Sequence, residues 1–195
     1  MIGQTVLRSF FRLNSTSAGK VGQIIKCIQH PQADKLYVSQ VQITPVDPES
    51  EGPASTVQIC SGLKDYVALQ DMQNRKVVVL ANLPPSKLRG EKSQAMLLAG
   101  EKSDSETPGS SIVKLLNPPV DANLGDKLSF YPFYDESFPA KLKSSKWAPI
   151  QSCLKTNEKG QAVYVTETGE QYLLKKSPES EHGAFCDNLP NAIIR

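Results

Sequence analysis

A mainly β fold class is predicted, and three observations predict it. Short apolar or alternating segments recur from Val21 to Ala99, each closed by Gly, Pro, Asn or Ser. The only helix-like stretch among them, Lys64 to Met72, is brief. Hydrophobic residues make up 39% of the 195, enough for a real core, yet no run is long or apolar enough to span a bilayer.

Residues 1–19 stand apart. Arg8 and Arg12 are basic, and the first acidic residue is Asp34. At helical spacing Ile2, Val6, Phe10 and Leu13 share one face and Arg8, Ser9 and Arg12 the other, and the small polar run Asn14 to Gly19 follows. A basic, acid-poor amphipathic helix of this kind suits a mitochondrial transit peptide, with a partner-docking helix or a first core helix as competing readings. A mitochondrial location follows from the first reading and a cytoplasmic one from the others.

Residues 20–102 read as one small barrel. Val21 to Ile28 is strand-like, and His30-Pro31 ends it because proline cannot continue a central ladder. Ala33-Asp34-Lys35 forms a loop. Tyr37 to Ile43 alternates late, with Val41 and Ile43 against Gln40 and Gln42. Thr44 to Ser55, rich in Pro, Ser and acid, is a loop. Thr56 to Cys60 alternates again, and Ser61-Gly62 breaks it. Val77 to Leu80 reads as a buried strand, Pro84-Pro85 as a turn, and Ser93 to Ala99 as the fifth strand. Five short strands with one helix between the third and fourth suit a five-stranded OB-fold barrel, which binds oligonucleotides on one face and its loops.

The basic residues point the same way. Arg75, Lys76, Lys87, Arg89 and Lys92 lie within eighteen positions of chain, with Glu91 the one acid among them. A cationic cluster on a rigid scaffold fits a polyanion such as nucleic acid, while the plain alternative is a solvated loop. The net charge is only +2, so any such affinity rests on local clustering.

Several blocks, in order, resemble one family. They are Lys20-Val21-Gly22-Gln23-Ile24-Ile25, His30-Pro31-Gln32-Ala33-Asp34-Lys35-Leu36-Tyr37-Val38, Ser61-Gly62-Leu63, Met72-Gln73-Asn74-Arg75, Asn82-Leu83, Lys87-Leu88-Arg89-Gly90 and Ser93-Gln94-Ala95-Met96. Together they resemble the tRNA-binding domain of endothelial monocyte-activating polypeptide II. That domain is also found in the yeast cofactor of methionyl- and glutamyl-tRNA synthetases and at the C-terminus of some methionyl- and tyrosyl-tRNA synthetases. The resemblance implies an OB-fold that binds tRNA by shape and backbone, catalyses nothing, needs no cofactor and partners a synthetase of methionyl, glutamyl or tyrosyl type.

It also implies a nucleic-acid face at His30, Lys35, Arg75, Lys87, Arg89, Lys92, Ser93 and Met96. Lysines and arginines there would pair with phosphates, Ser93 would donate to a phosphate or 2′-hydroxyl, and Met96 would pack on a base, ribose or the core. Asn74 and Asn82 read as turn-formers. Lys26 and Lys76 depart from the family pattern and stand as second-tier candidates. Ser17-Ala18-Gly19 replaces the family's charged lead-in, and the cytokine heptapeptide is half present as Lys20 to Lys26, so extracellular signalling is not expected.

Residues 103–195 resemble the C-terminal extension of the polypeptide-II branch. The resemblance implies a small mixed extension packed against the barrel, imitating the second subunit of dimeric relatives and leaving the chain a monomer. From the residues, Glu101 to Ser111 reads as a linker loop. Ile112 to Leu116 and Gly125 to Phe130 read as two strands around a turn, and Trp147 to Leu154 as one or two helical turns. Gln161 to Val165 and Gln171 to Leu174 flank Thr168-Gly169 as a hairpin. Lys141, Lys143 and Lys146 would extend an RNA track or only solvate a loop.

Other chemistry has weaker footing. Cys27-x2-His30 and His182-x3-Cys186 have zinc-like spacing, but a site would require distant segments to meet, and a core Cys27 is the commoner case. No metal is expected. No Gly-rich phosphate loop is present. An enzyme using Cys60 or Cys27, and a protein-interaction module with incidental RNA contact, are the rival functions. The four cysteines are widely spread, unlike a secreted disulfide framework.

Overall fold

The structure is a computed structural model describing residues 19–45, 54–131, 142 and 144–195. The segment 1–18, with the predicted amphipathic helix, lies outside the described residues, as do Lys141, Lys143 and the side chain of Lys146.

The barrel is built from β1 (Gly19–Gln29), β2 (Tyr37–Gln42), β3 (Thr56–Ser61), α1 (Leu69–Met72), β4 (Lys76–Leu80) and β7 (Met96–Leu97), with a small hairpin of β5 (Ser86–Leu88) and β6 (Glu91–Ser93). Strands run antiparallel in the order β3-β2-β1-β4-β7. The circuit closes between β3 and the segment after β6: the Gln94 backbone N–H donates to the Gln58 carbonyl at 2.8 Å, and the Cys60 N–H to Ser93 Oγ at 3.1 Å.

A bulge between Ile24 and Lys26 decides what β1 does. Ile24 and Cys27 are three residues apart and would face opposite ways on a regular strand. The extra residue puts both into the barrel interior with Val41, Ile59 and Met72, and leaves Ile25 and Lys26 outside. Beyond the bulge β1 has no ladder partner on the β4 side. There the Gln73 side chain substitutes for a strand, accepting from the Cys27 N–H at 3.0 Å and donating to its carbonyl at 2.7 Å.

The other face of β1 and β4 belongs to a second core. Val77 and Val79 enter the barrel interior, while Val78 and Leu80 alternate outward to meet Leu116, Leu128, Trp147, Tyr164, Leu174 and Ile194. Being buried on both faces explains why β4 reads as an unbroken apolar run. The second core is closed by β8 (Ala99–Ser103), β9 (Ser111–Leu115), β10 (Lys127–Phe130), α2 (Ser144–Gln151), β11 (Leu154–Thr156), β12 (Ala162–Val165), β13 (Gln171–Lys175) and β14 (Ile193–Ile194). Pairing is continuous from β1 through β10, β13, β12, β11 and β14 to β8 and β9. The fold is therefore all-β in the main, a barrel with a small mixed extension packed on it.

Three local expectations change. The loop expected over Glu101 to Ser111 is shorter: β8 and β9 pair from Ala99↔Leu115 to Ser103↔Ser111, so Glu101 to Ser103 and Ser111 are strand and residues 104–110 form the loop. Charged Glu101 and Lys102 hid the strand because β8 carries them on a partly exposed stretch. β9 and β10 do not pair with each other but with β8 and β1. The fifth strand is broken, because the Ser93 to Ala95 turn leaves only Met96–Leu97 to pair with β4.

Gly22 sits where β1 crosses the barrel most tightly. A Cβ there would lie 2.8 Å from a Val41 methyl and 2.9 Å from a Val79 methyl. Gly22→Ala should cost about 1–3 kcal/mol in urea unfolding. The double variant Gly22→Ala/Val79→Ala should cost less than the sum of the two single changes. Strict additivity would show that the crowding is absent in solution.

Candidate nucleic-acid interface

The β5–β6 hairpin is the most unusual local structure in the barrel. Its loop is two residues, Arg89 and Gly90, with φ of 50° and 96°. Two positive φ values define the type I′ connection, whose twist matches paired strands and whose first position normally takes Asn, Asp or Gly. Arginine there is strained, as any residue with a Cβ and no local side-chain bond to the backbone would be.

Lys87 and Lys92 are direct cross-strand partners on this hairpin, and both are exposed. Like charges opposite each other destabilise a two-stranded ribbon. Alternation turns them away from Ser86, Leu88 and Ser93 on the opposite face. The hairpin is held by its other side chains and backbone. Gln58 Nε2 donates to a Glu91 carboxylate oxygen at 3.0 Å and to the Lys92 carbonyl at 2.9 Å. Gln40 Nε2 donates to Gln58 Oε1 at 2.9 Å, so an amide ladder crosses β2 and β3 to the hairpin.

His30 is the second anchor. It is 6% exposed, its Nε2 lies 3.2 Å from the Leu88 carbonyl, and its Nδ1 accepts from the Gln32 N–H at 3.0 Å. Those partners select the neutral tautomer with the proton on Nε2. The family resemblance puts His30 at the RNA face; the structure places it beneath that face, joining the β1–β2 turn to the hairpin. Ser93 is likewise internal: its hydroxyl accepts from the Cys60 N–H and donates to the Ala95 carbonyl at 3.0 Å. It shuts the barrel instead of facing solvent.

The remaining expected residues divide. Lys26 joins the hairpin, lining with Glu91, Gln58 and Ile28 a shallow cleft of about 170 Å³ on the outer face of β1–β3. Lys35, in the turn before β2, lies 3.6 Å from Asp65 with both side chains largely exposed, a pairing worth little. Arg75 is drawn elsewhere. Its guanidinium donates to Asn117 Oδ1 at 3.0 Å, and Asn117 donates in turn to Asp187 at 2.8 Å, a joint between barrel and extension. Lys76 is exposed at the start of β4, opposite Gln23. Met96 is half-buried, packed on the second core.

Lys87, Arg89 and Lys92 are thus the cations of one hairpin, while Lys26 lies beside Glu91, which pairs with Leu88 on the ribbon face turned away from the two lysines. The amide ladder and Lys26's place beside it had no signal beyond the alternation of Gln40 and Gln58. The hairpin did have one, a two-residue Arg89-Gly90 step, which reads as a loop because Leu88 is the only apolar residue on either strand.

Burial raises the Cys27 thiol above its ordinary pKa against a bond from Ser39, and raises Cys60 with Glu91 adding to it. Among the described residues no group of three or more His, Cys, Asp or Glu is placed to hold a metal. Cys27 and Cys186 belong to different cores. No helix among the described residues is long and apolar enough to cross a membrane.

The family described as "Putative tRNA binding domain" matches residues 20–127. The tRNA-aminoacylation cofactor arc1 of Schizosaccharomyces pombe is 37% identical over 169 residues, covering 86% of this chain and 34% of that protein. The aminoacyl tRNA synthase complex-interacting multifunctional protein 1 of Mus musculus is 36% identical over 148 residues, 74% of this chain and 42% of the relative. The cytoplasmic methionine–tRNA ligase of Arabidopsis thaliana is 38% identical over 146 residues, 74% of this chain and 17% of the ligase. This chain therefore spans well under half the length of each of these three relatives. The solved C-terminal domain of Plasmodium vivax p43 superposes with a TM-score of 0.68 at 27% identity, covering 92% of this chain and 98% of that one. With more than half its length matched, this chain belongs to the tRNA-binding domain family.

Proposed function

We propose that the protein captures tRNA, without catalysing a reaction on it, through the outer face of the barrel, and delivers it to an aminoacyl-tRNA synthetase. The observation that carries this is the β5–β6 hairpin. It sets two lysines opposite each other and places an arginine at a strained turn. Both features cost stability in the free protein, and a phosphate backbone lying across them reverses the first. Bound phosphates convert lysine–lysine repulsion into two charge-assisted contacts and release counterions. Recognition by backbone and shape fits this reading, with the cations pairing with phosphates.

Burial raises the Cys27 and Cys60 thiols, which speaks against a nucleophile at either position, because a nucleophilic cysteine requires the opposite shift. A synthetase partner of methionyl, glutamyl or tyrosyl type is supported by the relatives' names, which include a methionine–tRNA ligase. The extension covers Val21, Val78, Leu80 and Leu98 on the outside of the barrel. That cover supports a monomer in which the extension takes the place of a second subunit.

Three binding series test the interface, each read as tRNA affinity against salt by filter binding or anisotropy. Lys87→Ala/Arg89→Ala/Lys92→Ala should lower affinity and flatten the log–log salt slope by roughly 0.7–0.9 for each phosphate no longer neutralised, about two in all. A variant that binds with unchanged affinity and slope would remove the hairpin from the interface. Arg89→Asn should behave in two opposite directions. It relieves the turn and raises stability by roughly 0.5–1 kcal/mol, while weakening tRNA binding with a slope shallower by about one phosphate. His30→Ala should weaken binding through a loosened hairpin and leave the salt slope unchanged, since His30 neutralises no phosphate. A slope change in His30→Ala equal to that of Lys87→Ala would mean that His30 touches phosphate itself.

A further inference from the structure

The hairpin has a second face. Lys87 and Leu88 are consecutive and point to opposite sides of the ribbon. On the side of Ser86, Leu88 and Ser93 lies a cavity of about 540 Å³, open to solvent and larger than the cleft beside Lys26. Its walls are mixed: Leu83, Leu88, Met96 and the ring of Tyr66, which is 47% exposed in the turn after β3, supply apolar surface, and Ser86 and Ser93 supply polar surface. One rim carries the Arg195–Glu101 ion pair, N to O 3.0 Å. Ser61 lines the opposite wall, and its buried hydroxyl has no hydrogen-bond partner.

We propose that this cavity receives an unpaired nucleobase of the bound RNA, swung out of its stack, with Tyr66 as the stacking surface. The inference rests on the tRNA reading above and names the feature of the RNA that the barrel selects. Three observations carry it. The volume suits a small-molecule-sized group and falls in the ordinary range for ligand pockets. The lining combines a half-exposed aromatic ring and aliphatic walls with hydroxyl and charged groups at Ser61, Ser86, Glu101 and Arg195, which offers a splayed base both a stacking surface and hydrogen-bond partners for its edge. A single hairpin separates the cavity from Lys87, Arg89 and Lys92, so one nucleotide's base and its neighbouring phosphates can straddle the ribbon. An apolar peptide side chain would also fit the walls, but it would make no use of the cations immediately behind them.

Two RNA stem-loops of equal length and charge provide the test, one fully paired in its stem and one carrying a single 2-aminopurine bulge. The intact chain should bind the bulged RNA about tenfold tighter, within the range that one base–aromatic stack supplies, and should quench the 2-aminopurine emission. Tyr66→Ala should abolish both the preference and the quenching, with affinity for the paired stem and the salt slope unchanged. Tyr66→Phe should retain both effects. Equal affinity of the intact chain for the two RNAs, or an undiminished preference in Tyr66→Ala, would overturn the pocket. If the preference survives while Tyr66→Ala releases a synthetase partner, the cavity holds a peptide and the base reading fails. The wider reading fails separately: the triple hairpin variant would then bind both RNAs as well as the intact chain does.

Discussion

Everything in the molecule hangs from one strand serving two cores. β1 pairs with β2 and β4 inside the barrel and with β10 at the start of the extension, and Lys20 is bonded in register on both sides, opposite Val79 and Lys127. Burial and the neighbouring Lys127 lower the pKa of Lys20 below its ordinary value, a sign of how closely the two sheets meet there. Before the bulge β1 serves both cores by alternation, with Val21 toward the extension and Ile24 toward the barrel, and the bulge keeps Cys27 in the barrel as well. Past it, β1 is free to carry Lys26 and the His30 turn to the outer face. Without the bulge Ile24 and Cys27 could not both be internal, and the anchor under the hairpin would be misplaced.

The anchors then determine how costly the cationic hairpin is to keep. An isolated two-stranded ribbon of three-residue strands is marginal even without repelling lysines. Here Gln58, His30 and Ser93 stand in for the missing neighbour strand with hydrogen bonds of 2.9–3.2 Å from the barrel wall. A protein hydrogen bond is worth about 1 kcal/mol net. A handful of them exceeds the few tenths to 1 kcal/mol of one exposed like-charge pair. So the barrel can hold cations in a geometry they would not choose, which is what the proposed capture of an anion requires. This is preorganisation, and it needs buried polar residues beneath an exposed basic surface.

That division of labour explains what was readable in the sequence and what was not. The apolar alternation of Val41, Ile59 and Val77 to Leu80 marked the barrel strands, because period and burial are local properties of the chain. The extension's hairpin was equally plain from Thr168-Gly169. β8 was not, because its cohesion comes from β14 and β9, which lie on other stretches of chain. Lys87, Arg89 and Lys92 announced themselves as charge, but charge alone does not tell contact from support. His30 and Ser93 look like ligands in a string of letters, and the structure buries both and bonds them within the fold, since burial is a tertiary property. Lys26 carried only a faint mark and Tyr66 none: a lysine within an apolar strand and a tyrosine in a polar turn become informative only when the hairpin folds over beside them.

Strain at Arg89 also bears on which residues are free to vary. A turn that needs two positive φ values is most stable as Asn-Gly, so stability alone would remove the arginine. Its presence in a hairpin that already bears two opposed lysines means that two separate features each forgo stability at the same place. Independent defects would be expected to scatter over the surface. Concentration on one ribbon, above a set of hydrogen bonds that secures it, supports the proposal that this surface meets a polyanionic partner over the alternative of a merely solvated loop.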